Sequence, residues 1–140
     1  MQGKNAVLII NNRKMRELTR AEEEIMHVLW KIEKGFVKDI LEHFPEPRPA
    51  YNTVSTIVRI LQEKGFVAHK AYGRTHEYFP IVSKDEYSKM HMKTFVRDYF
   101  SNSFEKMVSF FAREKGISVK EMEEIMKIMQ GEMNRQKGKR

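Results

Sequence analysis

Between Tyr51 and Phe66 the apolar residues Val54, Ile57, Val58 and Leu61 recur at i, i+3, i+4 and i+7, which predicts a helix with one buried stripe. Asn52, Thr53, Ser55, Thr56 and Arg59 lie off that stripe. These side chains bond well to base edges or phosphates, and they equally suit a plain solvated helix face. Gly65 offers a left-handed stop, and the chain from Phe66 onward alternates as a strand does. Upstream, Thr19 and Glu22 have the spacing of a capping box, and Ala21, Ile25, Val28, Leu29 and Ile32 share a face behind it. A first helix is therefore expected to about Ile32, with Trp30 packed against the next helix. Lys34 and Gly35 break the chain, and a second short helix follows over residues 36–43, with Val37, Ile40, Leu41 and Phe44 as its apolar set. Pro45, Pro47 and Pro49 stop it, and the third helix starts near Tyr51 or Asn52. Residues 66–71 and 75–81 have strand composition, with residues 72–74 as the turn between them.

Three small helices that end in a hairpin have the layout of a winged helix-turn-helix reader of DNA. The order is not that of an α/β enzyme, because no Gly-rich phosphate loop joins a strand to a helix. At Ser83 the composition changes. Ser83 with Glu86, and Ser118 with Glu121, repeat the capping-box spacing. Three amphipathic stretches lie in this part of the chain: Met92, Phe95, Val96, Tyr99 and Phe100; then Phe104, Met107, Val108 and Phe111; then Met122, Ile125, Met126 and Met129. A tail of about 58 residues cannot cover that many Phe and Met side chains by itself. A second copy of the same tail covers them, and Met packs adaptably between chains; folding back on the N-terminal unit is the alternative. The expected class is mainly α with a small β-hairpin, a winged helix-turn-helix followed by a helical dimerisation domain. The boundaries are residues 1–16 for a flexible arm, 17–82 for the DNA-binding domain, 83–132 for dimerisation and 133–140 for a basic, solvated tail.

Charge and cysteine usage narrow the function. The 140 residues carry 26 Lys+Arg against 19 Asp+Glu, a net charge of +7, which suits a polyanionic partner. No cysteine is present, so disulfides, thiolate metal sites and Cys nucleophiles are excluded together. No apolar run approaches the roughly 20 residues of a membrane span, and the stretch at residues 6–10 is too short for a signal-peptide core. A cytoplasmic protein is expected, without cofactor or metal. The histidines His27, His43, His69, His76 and His91 are scattered, with neither an H-E-x-x-H nor a G-x-S-x-G motif, so no enzyme is expected. A zinc site from His69 and His76 across the hairpin lacks a third strong ligand. Glu22, Glu23 and Glu24 sit in a helical first turn, where acidic residues complement the dipole. The remaining rival is a winged helix that binds protein and no longer touches DNA.

From Leu18 to about Gln130 the order of elements and the local wording resemble the penicillinase-repressor family, also called the BlaI/MecI/CopY family. The resemblance is carried by residues 49–66 (PAYNTVSTIVRILQEKGF), by residues 18–22 (LTRAE) with 28–30 (VLW), and by residues 71–78 (AYGRTHEY). It implies a homodimeric winged-helix repressor on a palindromic operator in double-stranded DNA. By resemblance, Asn52, Thr53, Ser55, Thr56 and Arg59 fall on the recognition helix, and Arg48, Lys70, Tyr72 and Arg74 on flanking phosphate contacts. The residue at Ser55 varies within the family, so the operator sequence does not carry over. In the antibiotic-resistance branch a membrane sensor peptidase leads to cutting between the two parts, often at an Asn–Phe bond. Here Ser103 separates Asn102 from Phe104, which makes Ser101, Asn102, Ser103 and Phe104 the candidate cleavage region without naming the bond. The copper-responsive branch uses C-terminal cysteines, which this chain lacks.

Overall fold

The computed structural model describes residues 17–114 and 116–139; the expected arm at residues 1–16 lies outside them. Three helices, α1 (Arg20–Ile32), α2 (Val37–Glu42) and α3 (Tyr51–Glu63), precede a hairpin of β1 (Val67–Tyr72) and β2 (Thr75–Pro80). Then come α4 (Lys84–Phe100), α5 (Phe104–Arg113) and α6 (Val119–Lys137). The chain is mainly α with a small antiparallel hairpin, a winged helix-turn-helix with a helical segment after it. The described residues divide into two compact units, one ending at Met92 and the other beginning at Lys93.

Local chemistry sets the helix ends. Thr19 Oγ1 accepts the Glu22 N–H at 3.2 Å, and Glu22 Oε1 accepts the Thr19 N–H at 2.9 Å, which closes the first capping box. The boxes at Ser83 with Glu86 and at Ser118 with Glu121 open α4 and α6 in the same way. Ser103 caps α5 by accepting the Lys106 N–H at 3.1 Å. At the end of α3 the Phe66 N–H reaches Leu61 O at 2.9 Å and the Gly65 N–H reaches Gln62 O at 3.0 Å, a Schellman motif that needs the φ of +85° at Gly65.

The hairpin register pairs Val67 with Pro80 and Tyr72 with Thr75. Tyr72 therefore closes β1 rather than joining the turn, which consists of Gly73 at φ +63° and Arg74. Gly35, expected only to break the chain, also extends this sheet. It exchanges both backbone bonds with Tyr78, at 2.9 and 2.8 Å. A Cβ at Gly35 would lie 2.9 Å from Ile32 Cδ1 and 3.0 Å from Asp39 Cβ, so a side chain here would make both neighbours shift.

The core of the first unit joins α1, α2, α3 and the hairpin through Ile25, Met26, Leu29, Ile40, Val54, Val58, Leu61, Phe66 and Val67. Tyr87 and Met90 of α4 belong to the same cluster, although the composition changes at Ser83. The Leu18 N–H donates to Tyr87 Oη at 3.2 Å, and the Tyr87 ring meets Phe66 edge-on with centroids 5.7 Å apart. Trp30, expected against the next helix, is also engaged at the far end of the hairpin and at α4. Its Nε1–H donates to Val82 O at 2.9 Å and its ring lies 5.9 Å from Tyr87, so it fastens the exit of the hairpin.

In the second unit α5 and α6 bury no residue among those described. Of the residues expected at a dimer face, Tyr99, Phe104, Val108, Phe111, Ile125, Met126 and Met129 are exposed. Phe95, Phe100, Met107 and Met122 are half-buried, and Phe100 packs against Phe95 and Phe110 at 5.7 Å. Val96 departs from the expectation: it is 2% exposed and is spent inside the chain's own packing. Exposed Phe110, Val119, Ile128 and Met133 were not anticipated. The expected tail is helical as far as Lys137, and Arg135 pairs with Glu132 there.

Glu22 is the one buried charged residue among those described, and Lys64 Nζ meets its Oε1 at 2.7 Å. Burial pushes the Glu22 carboxyl up, but the bonds from Lys64 and the Thr19 N–H, with the Lys64 charge, hold it below its ordinary value. A depressed carboxylate contributes stability that is complete above the ordinary carboxylate range and is lost as pH falls through the lowered value. Glu22→Gln should therefore cost about 1–3 kcal/mol near neutral pH. Urea denaturation across a pH series checks this, and the gap between variant and parent should close in acid.

Candidate nucleic-acid interface

α3 divides its two faces cleanly. Val54, Val58 and Leu61 are buried and Ile57 is half-buried, so the helix is seated on the core by the expected stripe. Asn52, Thr53, Thr56 and Arg59 are exposed and Ser55 is half-buried. These five residues thus lie on the outer side of a helix whose inner side is fully used. Arg59 folds back along the helix, its Nε–H donating to Ser55 O at 3.4 Å. At the far end the Lys64 pair with Glu22 ties the cap of α3 to the first turn of α1.

The four flanking residues have different surroundings. Arg74 is exposed in the hairpin turn. Lys70 Nζ sits 5.3 Å from the Tyr72 ring centroid, and the Tyr72 ring meets Phe36 edge-on at 5.7 Å. This stacking fixes the flank of the hairpin against the start of α2. Arg48 lies in the segment before α3, where it bonds Phe44 O and pairs with Glu46 at 3.4 Å in the open. Its charge is partly spent locally, and so exposed a pair contributes little.

The structure also brings Ser55, Arg59 and Arg74 together with residues that no pattern had assigned to the site. Tyr51, Ser55 and Arg59 form an i, i+4, i+8 ridge along α3, facing Arg74, Thr75, His76 and Tyr78 of the hairpin across a cleft of about 760 Å³. Phe36, Val37, Lys38 and Asp39 at the start of α2 close its end. The ridge spacing was available in the sequence for Tyr51, but the facing wall depends on how the hairpin folds back. Burial raises the Tyr78 phenol above its ordinary value, against the pull of the nearby Arg59 charge.

His69 and His76 stack in parallel with centroids 3.9 Å apart, and His69 Nδ1 lies 2.7 Å from Gln62 Oε1. Among the described residues no group of three or more His, Asp and Glu is placed to hold a metal ion. No helix of the described residues is long and apolar enough to cross a membrane.

An outward polar helix seated on two supporting helices, with a hairpin beside it, defines a winged helix-turn-helix protein of the kind used in transcription regulation. Residues 18–131 match the family model described as penicillinase repressor, and the chain belongs to that family, which is made of transcriptional repressors. It is 25% identical to the methicillin resistance regulatory protein MecI of Mammaliicoccus sciuri over 117 residues, covering 83% of this chain and 95% of that protein. The penicillinase repressor of Bacillus licheniformis is 24% identical over 126 residues, covering 89% of this chain and 98% of its own length. A solved structure of Bordetella bronchiseptica BpsR, described for regulation of its DNA binding by 6-hydroxynicotinic acid, aligns over 95% of this chain and 88% of that one. The sequence identity there is 14% and the TM-score 0.42.

The two faces of α3 should separate in a stability measurement. Leu61→Ala removes a fully buried side chain and should cost about 2–5 kcal/mol. Thr56→Ala on the outer face should stay within about 0.5 kcal/mol of the parent. Thermal unfolding followed by circular dichroism measures both.

Proposed function

We propose that the chain is a homodimeric repressor that occupies a palindromic operator in double-stranded DNA and blocks use of the promoter beneath it. The observation that carries this reading is the outer face of α3, where Asn52, Thr53, Ser55, Thr56 and Arg59 stand clear of the core beside a hairpin carrying Lys70, Tyr72 and Arg74. In this reading α3 enters the major groove, where Thr53, Ser55 and Thr56 are short enough to meet base edges or thymine methyls. Arg59 grips phosphate or guanine, and Arg48, Lys70, Tyr72 and Arg74 hold the backbone at the flanks.

The dimer is supported by what α5 and α6 leave open. They bury nothing, yet Phe104, Val108, Phe111, Ile125, Met126, Ile128 and Met129 are exposed on them. Covering one such side chain is worth about 1.5–3 kcal/mol, and a second copy offers the matching surface. Two linked reading helices bind at high effective concentration, and separated ones lose that gain. Relief of repression by cutting fits the turn between α4 and α5. Ser101 and Asn102 are exposed there at φ +51° and +65°, with Phe104 exposed just beyond. A membrane sensor peptidase is the proposed upstream partner, and cutting at residues 101–104 would lower occupancy without touching the reading face.

Two experiments test this. Fluorescence anisotropy on the chain's own upstream DNA against scrambled DNA should show tight, specific binding, with log K falling by about 0.9 per phosphate neutralised for each unit of log salt. Thr53→Ala should weaken binding to the upstream DNA selectively by about 1–3 kcal/mol, while Arg74→Ala weakens both DNAs alike. A flat salt response would contradict the reading. Separately, a fragment ending at Ser101 should sediment as a monomer and bind the same DNA far more weakly; a dimeric fragment would remove the role given to α5 and α6.

A further inference from the structure

The cleft between α3 and the hairpin has walls of two chemistries. Its volume of about 760 Å³ falls within the roughly 300–1,000 Å³ of small-molecule sites. Phe36, Val37, Tyr51 and Tyr78 give it apolar and aromatic lining, with Tyr78 5% exposed and Tyr51 55% exposed at the edge. Lys38, Arg59 and Arg74 bring three cations to the same space against one carboxylate, Asp39. That carboxylate is already engaged, since its Oδ2 accepts the Phe36 N–H at 2.9 Å. Among the described residues neither Lys38 nor Arg74 has an ion-pair partner. A DNA strand crossing this rim uses the cations and makes little use of three aromatic rings below them. A flat aromatic acid uses both, with its ring against Tyr51, Phe36 and Tyr78 and its carboxylate on a guanidinium fork.

We propose that this cleft binds a small aromatic carboxylate, and that such an occupant and operator DNA exclude one another. Exclusion follows because Ser55 and Arg59 line the cleft and also belong to the reading face; this half rests on the DNA-binding function proposed above, whereas the binding itself does not. The ligand then works as an effector by filling the space at the reading helix, with no change of fold required.

The probe is indole-3-acetate, titrated into the ¹⁵N-labelled full chain at constant ionic strength, with indole and acetate as its two halves. Saturable amide shifts are expected at Phe36, Tyr51, Ser55 and His76 with indole-3-acetate and none with acetate, while indole binds about tenfold more weakly. Lys38→Ala combined with Arg74→Ala, both at exposed positions, should weaken indole-3-acetate about tenfold and leave indole unchanged. At saturation indole-3-acetate should raise the apparent Kd for the upstream DNA, where acetate does not. Absence of saturable shifts at these residues, or an equal response to acetate, overturns the site. An unchanged DNA affinity at saturation overturns the exclusion. Localised binding of the acid by a chain that shows no preference for its upstream DNA upholds the cleft and counts against the operator reading instead.

Discussion

The carboxylate of Glu22 ties together the two helices on which the reading surface depends. One oxygen closes the capping box with Thr19 and also receives Lys64, the residue that ends α3. The start of α1 and the end of α3 are thereby held at one point, at the edge of a core that already packs their apolar stripes. A buried ion pair contributes specificity of arrangement more than raw stability, because desolvation offsets much of its Coulomb attraction. Here the same oxygen also serves a helix cap, so removing Lys64 leaves a buried carboxylate with the Thr19 N–H but without its counter-charge. The opposite end of α3 begins from Ala50 in extended backbone with no side-chain cap, which leaves its first turn open on the side of Asn52 and Thr53.

Gly35 plays the complementary role for the hairpin. Its two backbone bonds to Tyr78 place the start of α2 against β2, where Phe36 and Tyr78 both line the cleft beside α3. The aromatic contact between Phe36 and Tyr72 continues the same seam toward the hairpin tip. The hairpin is thus braced at three successive places, by Phe66 and Val67 in the core, by Gly35 at mid-strand and by Phe36 near the turn. Two isolated strands are marginal in water, so this bracing lets a hairpin of two six-residue strands hold Lys70 and Arg74 in place.

Much of this architecture was legible because it is encoded locally. The capping boxes at Thr19, Ser83 and Ser118, the 3.6-residue stripe of α3, the glycine stop at Gly65 and the turn at residues 72–74 are short-range patterns, and each set an element end to within a residue or two. What was not legible depends on residues far apart in the chain. Glu22 meets Lys64 across 42 positions, Trp30 meets Val82 across 52, and Leu18 meets Tyr87 across 69. Periodicity marked Glu22 as a first-turn acid but could not name its partner. It marked Val96 as part of an exposed seam, since amphipathic spacing says which residues share a face and not which chain covers them. The candidate site follows the same rule: the outer residues of α3 were readable from spacing, whereas the wall formed by Lys38, Thr75 and His76 exists only once the hairpin returns beside the helix.

The central claim is that two copies of one reading helix address two halves of one site. Hydroxyl-radical footprinting of the full chain on its upstream DNA tests that claim most directly. The account predicts two protected patches of equal strength, related by a two-fold axis and spaced by one or a few helical turns, about 34–36 Å each. A single protected patch, or protection spread evenly along the fragment, would contradict it.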